Sequence, residues 1–154
     1  MNYTILHISD SDKHRAEAIN EYTKRLWKTI SIDTVKPVKN WSQDQIIQKE
    51  TEVILEKLEK KYNNYGKILL SKSWEQYHTE DLWKFLNKYS MANEWKIVFI
   101  IWWPYGFNED NLLNIWVKRI SFGKITLPHW LAKLTLLEQI YRIWTIESWK
   151  KYHY

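Results

Sequence analysis

The stretch that decides the fold is KIVFII, residues 96–101, in the second half of the chain. It joins isoleucine, valine and phenylalanine without a polar interruption, and such residues are enriched in β-strands. A strand that is apolar on both of its sides cannot lie at the surface, because alternate side chains point to opposite faces of a sheet. The stretch therefore predicts the central strand of a sheet that is covered on both faces.

The segments on either side of this stretch alternate between strand and helix patterns. The further predicted strands are 3–8, 30–35, 67–70 and 120–122. The predicted helices are 13–26, 42–62, 79–89, 108–117 and 128–147. This alternation is typical of an α/β fold with a mainly parallel sheet flanked by helices. No repeat, linker or low-complexity tract divides the chain, so we predict a single domain over 1–154.

Two of the helices have distinctive patterns. Ser42 and Gln45 form a capping box at the start of the second helix. Its predicted inner face consists of Ile47, Ile54, Leu58 and Tyr62. The last helix carries an apolar stripe that is either core or a dimer face, made of Trp130, Leu134, Leu137, Tyr141 and Trp144.

The composition excludes several classes of protein. The 154 residues include 45% hydrophobic and 27% charged residues and no cysteine, which excludes disulfides and zinc–thiolate sites. The longest apolar run covers only residues 97–103, whereas roughly 20 apolar residues are needed to span a bilayer. The N-terminus has no signal-peptide pattern. We therefore expect a cytoplasmic protein that does not enter a membrane, and the net charge of +5 favours a polyanionic partner such as nucleic acid.

The common catalytic motifs are missing from the sequence. It contains no GxSxG, no Walker loop and no GxGxxG, so hydrolase, P-loop and dinucleotide-binding functions lose their main support. None of the five histidines has a metal-binding spacing such as HExxH, and we expect no metal. In parallel sheets, ligands bind beyond the carboxyl ends of the strands, which points to residues 70–75, 102–107 and 122–129.

The last thirty residues contain short motifs in a fixed order. They are Thr126-Leu127-Pro128-His129, Lys133, Glu138-Gln139, Tyr141-Arg142 and Tyr152-His153. These motifs resemble the C-terminus of the RlmH family, SPOUT-class methyltransferases that act on 23S rRNA. The family pattern is TLPH, a basic residue, LLxEQxYRA and a terminal YH. The similarity covers the whole chain, including the EYTKRL of residues 21–26.

The resemblance implies a fold, a cofactor and an activity. The fold would contain a C-terminal trefoil knot, in which the last helix passes through a loop, and the active site would lie at the interface of a homodimer. The reaction would transfer a methyl group from S-adenosylmethionine to N3 of a pseudouridine in 23S rRNA. The family's cofactor contacts fall on Leu70, Trp102, Trp103, Phe122, Gly123, Lys124, Ile125, Thr126 and Leu127.

The chemistry of this reaction suggests catalytic residues. N3 of a uracil-type ring carries a proton near neutral pH, so a base with a pKa near 7 is favoured. His153 is the first candidate for this base. Tyr152 would stack on or orient the target ring, and Arg142 would bind a phosphate or stabilise the deprotonated ring. A simpler interpretation of Arg142 is a surface ion pair with Glu138.

The chain departs from the family in its tryptophans. It has 11 Trp and 3 Gly, whereas an average composition predicts about 11 Gly. Where the family has a GG pair after the central strand, this chain has Trp102 and Trp103. Further tryptophans stand where relatives often have glycine, at Trp27, Trp74, Trp95, Trp130 and Trp149.

Two explanations of these tryptophans remain open. The codons GGA and UGA differ by one base, and some bacterial lineages read UGA as glycine, so the natural protein could contain glycine at these positions. Alternatively the tryptophans are genuine, and the chain is a SPOUT-like RNA- or ribosome-binding protein that has lost its cofactor. A tryptophan at a glycine position of the cofactor loop would strain the backbone and fill the adenosine pocket.

Overall fold

The computed structural model describes residues 1–9, 15–72, 74–101 and 115–149. The elements in chain order are β1 (Asn2–Ile8), α1 (Ala16–Arg25), β2 (Ile30–Val35), α2 (Gln43–Lys60), β3 (Gly66–Leu70), α3 (Thr79–Met91), β4 (Lys96–Ile101), β5 (Lys118–Ile120) and α4 (His129–Glu147). The five strands form one parallel sheet in the order β2-β1-β4-β3-β5. The parallel α/β architecture predicted from the sequence is confirmed.

The strand β4 lies at the centre of this sheet, between β1 and β3. Phe99 of β4 pairs with Ile5 of β1 on one side and with Ile68 of β3 on the other. Residues 97–101 are all at most 2% exposed to solvent. The prediction of a central strand buried on both faces is therefore confirmed.

Helices cover both faces of the sheet. Alternate residues of β4 divide between two apolar clusters, with Ile97, Phe99 and Ile101 in one and Val98 and Ile100 in the other. The first cluster also contains residues of α3 and α4, with side chains of α1 packed against it. The second cluster contains residues of α2. The sheet is thus the middle layer of three, as the apolar sequence of β4 requires.

The helix α2 begins at the predicted capping box, in which the Ser42 hydroxyl and the Gln45 side chain bond each other's backbone N–H groups. Its inner face differs from the prediction by one position, because Ile46 is buried and Ile47 is only partly buried. The line of buried residues includes Glu50, whose carboxylate accepts a hydrogen bond from the backbone N–H of Val38 at 2.9 Å. Because the acidic residue Glu50 lies in the middle of the buried face, a pattern of apolar residues alone does not reveal that face.

Two other boundaries also differ from the sequence-based expectation. The strand β5 ends at Ile120 and not at Phe122, because the chain turns at Gly123, whose φ is +131°. The helix predicted over 108–117 falls mostly outside the described residues. At its predicted end, Trp116 has a φ of +56° and lies in a turn, so the chain there is not helical.

The last helix, α4, is apolar around most of its circumference. Its inner side chains are buried in the sheet-facing cluster, and they are Leu136, Leu137, Ile140 and Ile143. Of the predicted stripe, Leu137 is buried, Tyr141 and Trp144 pack against the cluster, and Trp130 and Leu134 are partly exposed. Within the described part of the chain, neither this helix nor any other is long and apolar enough to cross a membrane.

Candidate functional site

A cleft opens at the carboxyl ends of the central strands. It lies between the ends of β3 and β4, the segment that follows β5, and the first turn of α4. The residues that line it are Leu70, Ser71, Lys72, Ile101, Phe122, Gly123, Ile125, Leu127, His129 and Ala132. The walls are mainly apolar, with the polar groups of a serine, a lysine and a histidine, which is the usual character of a small-molecule site.

Hydrogen bonds hold the two loops of this cleft together. The backbone N–H of Ser71 donates to the carbonyl of Ile120 at 2.8 Å, and that of Ser121 donates to the carbonyl of Glu75 at 2.9 Å. The Ser121 hydroxyl accepts from the backbone N–H of Gly123 at 3.1 Å and lies 3.2 Å from the carbonyl oxygen of Lys72. Ser121 is 5% exposed, so these bonds are shielded from water. The segment after β5 is therefore fixed against the segment after β3.

Gly123 stands at the turn in this segment and has a φ of +131°, which side-chain-bearing residues rarely adopt. A β-carbon added there would meet no atom within 4 Å, so the backbone angle and not the space requires glycine. The glycine lets the chain reverse direction beside the cleft and brings main-chain groups to its wall.

Most of the predicted cofactor contacts that the structure describes lie at this cleft. Leu70, Phe122, Gly123, Ile125 and Leu127 line it. Two predicted residues between them in the chain do not line it, Lys124 and Thr126, which are exposed on the same loop. Trp102 and Trp103 lie outside the described residues.

Five residues of the cleft were not assigned as cofactor contacts from the sequence. Ser71, Lys72 and His129 fall within the segments expected at the carboxyl ends of strands. Ile101 and Ala132 do not, although Ile101 is the last residue of a strand whose end was expected to border the site. The rule that ligands bind beyond strand ends would have found Ile101. His129 contributes to the wall where α4 begins.

A buried histidine lies beside the cleft, at the carboxyl end of β1. His7 pairs with Ile101 of β4 and is 4% exposed. Its Nε2 lies 3.1 Å from the Thr34 hydroxyl and 3.5 Å from the ammonium nitrogen of Lys133. Burial, together with the positive charges of Lys133 and His129, lowers the pKa of His7 to about 3. Because a charged lysine can only donate, Nε2 is an unprotonated acceptor and the ring is neutral.

The predicted catalytic residues are not brought to this cleft within the described part of the chain. Arg142 lies ten residues beyond Ala132 on α4, roughly 15 Å along the helix axis. Its Nε and Nη2 both donate to one oxygen of Glu138, at 3.0 and 2.5 Å, and this pair is about three-quarters shielded from solvent. The ion pair expected as the simpler interpretation is present, but it is not fully exposed. Tyr152 and His153 lie outside the described residues.

The described residues contain no group of three or more histidines and acids that would hold a metal ion. The exposed charges include Lys124, and the cleft itself contains Lys72 and His129. The site therefore offers apolar walls and a few polar groups, which suit a ligand with an uncharged aromatic part and a polar end.

Comparisons with known proteins give the family. A family model described as "Predicted SPOUT methyltransferase" matches residues 1–153. The chain is 31% identical over 156 residues to a ribosomal RNA large subunit methyltransferase H of Mesoplasma florum, with 99% of each chain covered. It is 33% identical over 159 residues to the protein of that name from Clostridium beijerinckii, again with 99% of each covered.

A solved structure has the same fold. It is a ribosomal RNA small subunit methyltransferase E from Neisseria gonorrhoeae bound to S-adenosyl methionine, with a TM-score of 0.53 and 15% sequence identity. The match covers 94% of this chain and 67% of that one. The parallel sheet, the cleft at its carboxyl edge and the family match over nearly every residue lead to one conclusion: this chain belongs to the SPOUT methyltransferase family.

Proposed function

We propose that the natural protein, with glycine at positions 102 and 103, methylates ribosomal RNA, with S-adenosylmethionine as methyl donor and N3 of a pseudouridine in 23S rRNA as acceptor. The proposal includes a homodimer that works in the cytoplasm, where this RNA is found, without a metal. The observation that carries it is the cleft at the carboxyl edge of the sheet, in which Leu70, Gly123 and Leu127 meet. Five predicted cofactor contacts line that one cleft.

The residues of the cleft fit the cofactor. Apolar side chains of Leu70, Ile101 and Leu127 would enclose the adenine ring, which has no charge to compensate. The positive φ at Gly123 lets main-chain groups approach the ligand closely. When bound, S-adenosylmethionine would supply an activated methyl group on a sulfonium centre. The protein has to hold the acceptor nitrogen in line with that methyl group, and such alignment supplies much of the rate.

The positions of the predicted catalytic residues favour an active site formed by residues of two chains. Arg142 and the cleft of its own chain are separated by roughly 15 Å along α4. The outward side of α4 carries partly exposed apolar residues, among them Trp130 and Leu134. If two copies pair through this helix, Arg142 and the tail that contains Tyr152 and His153 can serve the partner's cleft. His153 would then remove the N3 proton, Tyr152 would orient the ring, and Arg142 would stabilise its negative charge.

The dimer has a direct test. Analytical ultracentrifugation at micromolar concentration should give twice the mass of the chain, and a stable monomer would exclude a composite site. A truncated variant then tests the role of the tail. Deleting residues 151–154 should abolish methyl transfer and leave cofactor affinity nearly unchanged. Equal loss of both would mean that the tail is needed to build the site.

The second candidate function is an RNA- or ribosome-binding protein without cofactor, and the observation that favours it is the Trp102-Trp103 pair. We expect the protein with both tryptophans to bind S-adenosylmethionine weakly or not at all. A hundredfold loss of affinity needs only about 2.8 kcal/mol. Backbone strain at one left-handed tryptophan accounts for roughly 1–2 kcal/mol of that, and an indole in the pocket would add to it.

Calorimetry with S-adenosylmethionine distinguishes the two candidates. The double variant Trp102→Gly/Trp103→Gly should bind the cofactor and methylate 23S rRNA in a ribosomal-subunit assay, while the parent chain should not. The matched control is Trp27→Gly, which changes an exposed tryptophan that does not line the cleft and should not restore binding. Failure of the double variant to bind, with its fold intact, would favour the RNA-binding function. Micromolar binding by the parent chain would refute the occlusion argument.

A further inference from the structure

The tryptophans of this chain lie in unusual places. Nine of the 11 are in the described residues, since Trp102 and Trp103 are not. Six of these nine are exposed: Trp27, Trp41, Trp74, Trp95, Trp116 and Trp149. Tryptophan is normally well buried, because its large apolar ring gains most by leaving water. The exposed fraction rises to 92% for Trp116 and 94% for Trp149, so these two indoles contact almost nothing.

Three of the exposed tryptophans also have a backbone conformation that favours glycine. Five non-glycine residues among those described have a positive φ, and three of them are tryptophans: Trp95 at +61°, Trp116 at +56° and Trp149 at +54°. In this region the β-carbon of an L-residue crowds the backbone, and bulky side chains are genuine outliers there. The other two are Asn40 and Glu94.

The turn at Trp95 shows the requirement most clearly. The carbonyl of Asn93 accepts a hydrogen bond from the backbone N–H of Lys96 at 2.9 Å, so residues 93–96 form a β-turn. Both central residues, Glu94 and Trp95, have a positive φ. Two consecutive positive values are the mark of a type I′ turn, in which glycine is strongly preferred at the second central position. That position is Trp95.

Two other tryptophans also lie at positions whose backbone conformation favours glycine. The helix α4 ends at Glu147 with Ser148 as its C-cap, and Trp149 follows at the next position. The residue after a C-cap is commonly left-handed and usually glycine. Trp116 lies in the turn just before β5, again with a left-handed backbone. The three positions belong to three unrelated turns, so one local distortion cannot explain them.

Two of the three partly buried tryptophans, Trp83 and Trp144, behave differently. The indole N–H of Trp83 donates to the Glu147 carboxylate at 3.1 Å, and its ring packs against the core. Trp144 stacks on Tyr141, with ring centroids 5.8 Å apart, and also packs against the core. Both have ordinary helical backbones. These side chains make the contacts expected of a genuine tryptophan.

We propose that the natural protein carries glycine at positions 95, 116 and 149, encoded by UGA codons that its source reads as glycine, and tryptophan at positions 83 and 144. The proposal rests on backbone angles and exposure, and so it does not depend on the proposed methyltransferase function. It extends the sequence-based hypothesis to Trp116. It also divides these tryptophans into two classes, those that stand in place of a natural glycine and those that are tryptophan in the natural protein.

The test is to read the codons and the protein together. Genomic DNA of the source should have UGA at the codons for 95, 116 and 149, and UGG at those for 83 and 144. Peptide mass spectrometry of the protein isolated from that source should show glycine at the first three and tryptophan at the other two. UGG codons, or tryptophan in the peptides, at 95, 116 and 149 would overturn the proposal. A glycine at 83 or 144 would overturn the division into two classes.

A second measurement tests the physical reasoning on the chain made from a synthetic gene. Trp95→Gly, Trp116→Gly and Trp149→Gly should each raise the folding equilibrium constant, by about 5- to 30-fold if the full left-handed strain is relieved. The matched alanine variants remove the indole but keep a β-carbon, and they should gain much less. Trp144→Gly should lower the constant. Equal effects of glycine and alanine at all three positions would refute the conformational argument.

Discussion

His7 should make the stability of this protein depend on pH between 7 and 5. It is 4% exposed and faces the ammonium group of Lys133, and its pKa in the folded protein is about 3. In the unfolded chain the same ring has a pKa near 6.5. The unfolded state therefore takes up a proton over this interval while the folded state does not. Stability falls as the pH is lowered, because protons bind preferentially to the unfolded chain.

The size of the effect follows from these two pKa values. At pH 7 the unfolded imidazole is mostly neutral, and at pH 5 it is almost fully protonated, whereas folded His7 stays neutral at both. The difference amounts to about 2 kcal/mol of unfolding free energy lost between pH 7 and pH 5. The negative charge of Asp33 raises the pKa of His7, and the value of about 3 already includes this effect.

The assay is urea denaturation at both pH values, with His7→Gln as the matched variant. Glutamine is neutral throughout and can still accept a hydrogen bond from Thr34 or Lys133. The variant should lose about 2 kcal/mol less than the parent between pH 7 and pH 5. Contributions from carboxylates are the same in both proteins and cancel in the difference. An identical loss in both would show that His7 is not held neutral, and the burial argument would then be wrong.

Four further changes have expected outcomes. Gly123→Ala should weaken cofactor binding by the double glycine variant described above, since forcing the loop's φ strains it by about 1–3 kcal/mol. Gly66→Ala, whose β-carbon would lie 2.7 Å from a Tyr89 ring atom, should lower stability without changing affinity, and calorimetry with urea titration checks both. Asp33→Asn should reduce the urea midpoint, because Asp33 accepts a hydrogen bond from Lys57 at 2.8 Å and further hydrogen bonds from neighbouring donors. A pH titration should show that this contribution to stability is lost below pH 4, because the pKa of Asp33 is lowered into that range. Ser42→Ala removes the cap of α2 and should cost about 1 kcal/mol in the same titration, whereas no change would mean that the helix start is fixed by packing alone.

The elements of the fold were predictable where one strong local signal acts. KIVFII predicts its own burial because no other arrangement hides apolar groups on both sides of a strand. The capping box at Ser42 predicts a helix start because the backbone N–H groups need partners there. The burial of Glu50 could not be predicted in this way, because it depends on a hydrogen bond from a backbone N–H that belongs to a different segment.

The cleft was only partly predictable from the residues themselves. The strand-end rule points to the right segments at 70–75 and 122–129, while 102–107 lies outside the described residues. The rule does not say which side chains turn inward, and Lys124 and Thr126 are exposed. The proximity of His7 to Lys133 joins residues 126 positions apart, and no spacing in the sequence indicates it. The residues carried over from the family resemblance supply half of the cleft wall, five of its ten lining residues.

The strand order has a consequence for how the chain acquires its site during synthesis. The first strand to emerge, β1, pairs with β2 at once, but its other edge pairs with β4, some ninety residues later. Until residues 96–101 leave the ribosome, that edge has unpaired backbone groups that can capture other strands. The cleft is complete only after β5 and the start of α4 have been synthesised, because the residues there form its remaining wall. For most of its translation, a nascent chain therefore has a sheet edge that can pair with other strands. The cleft is complete only when about the last forty residues have been added.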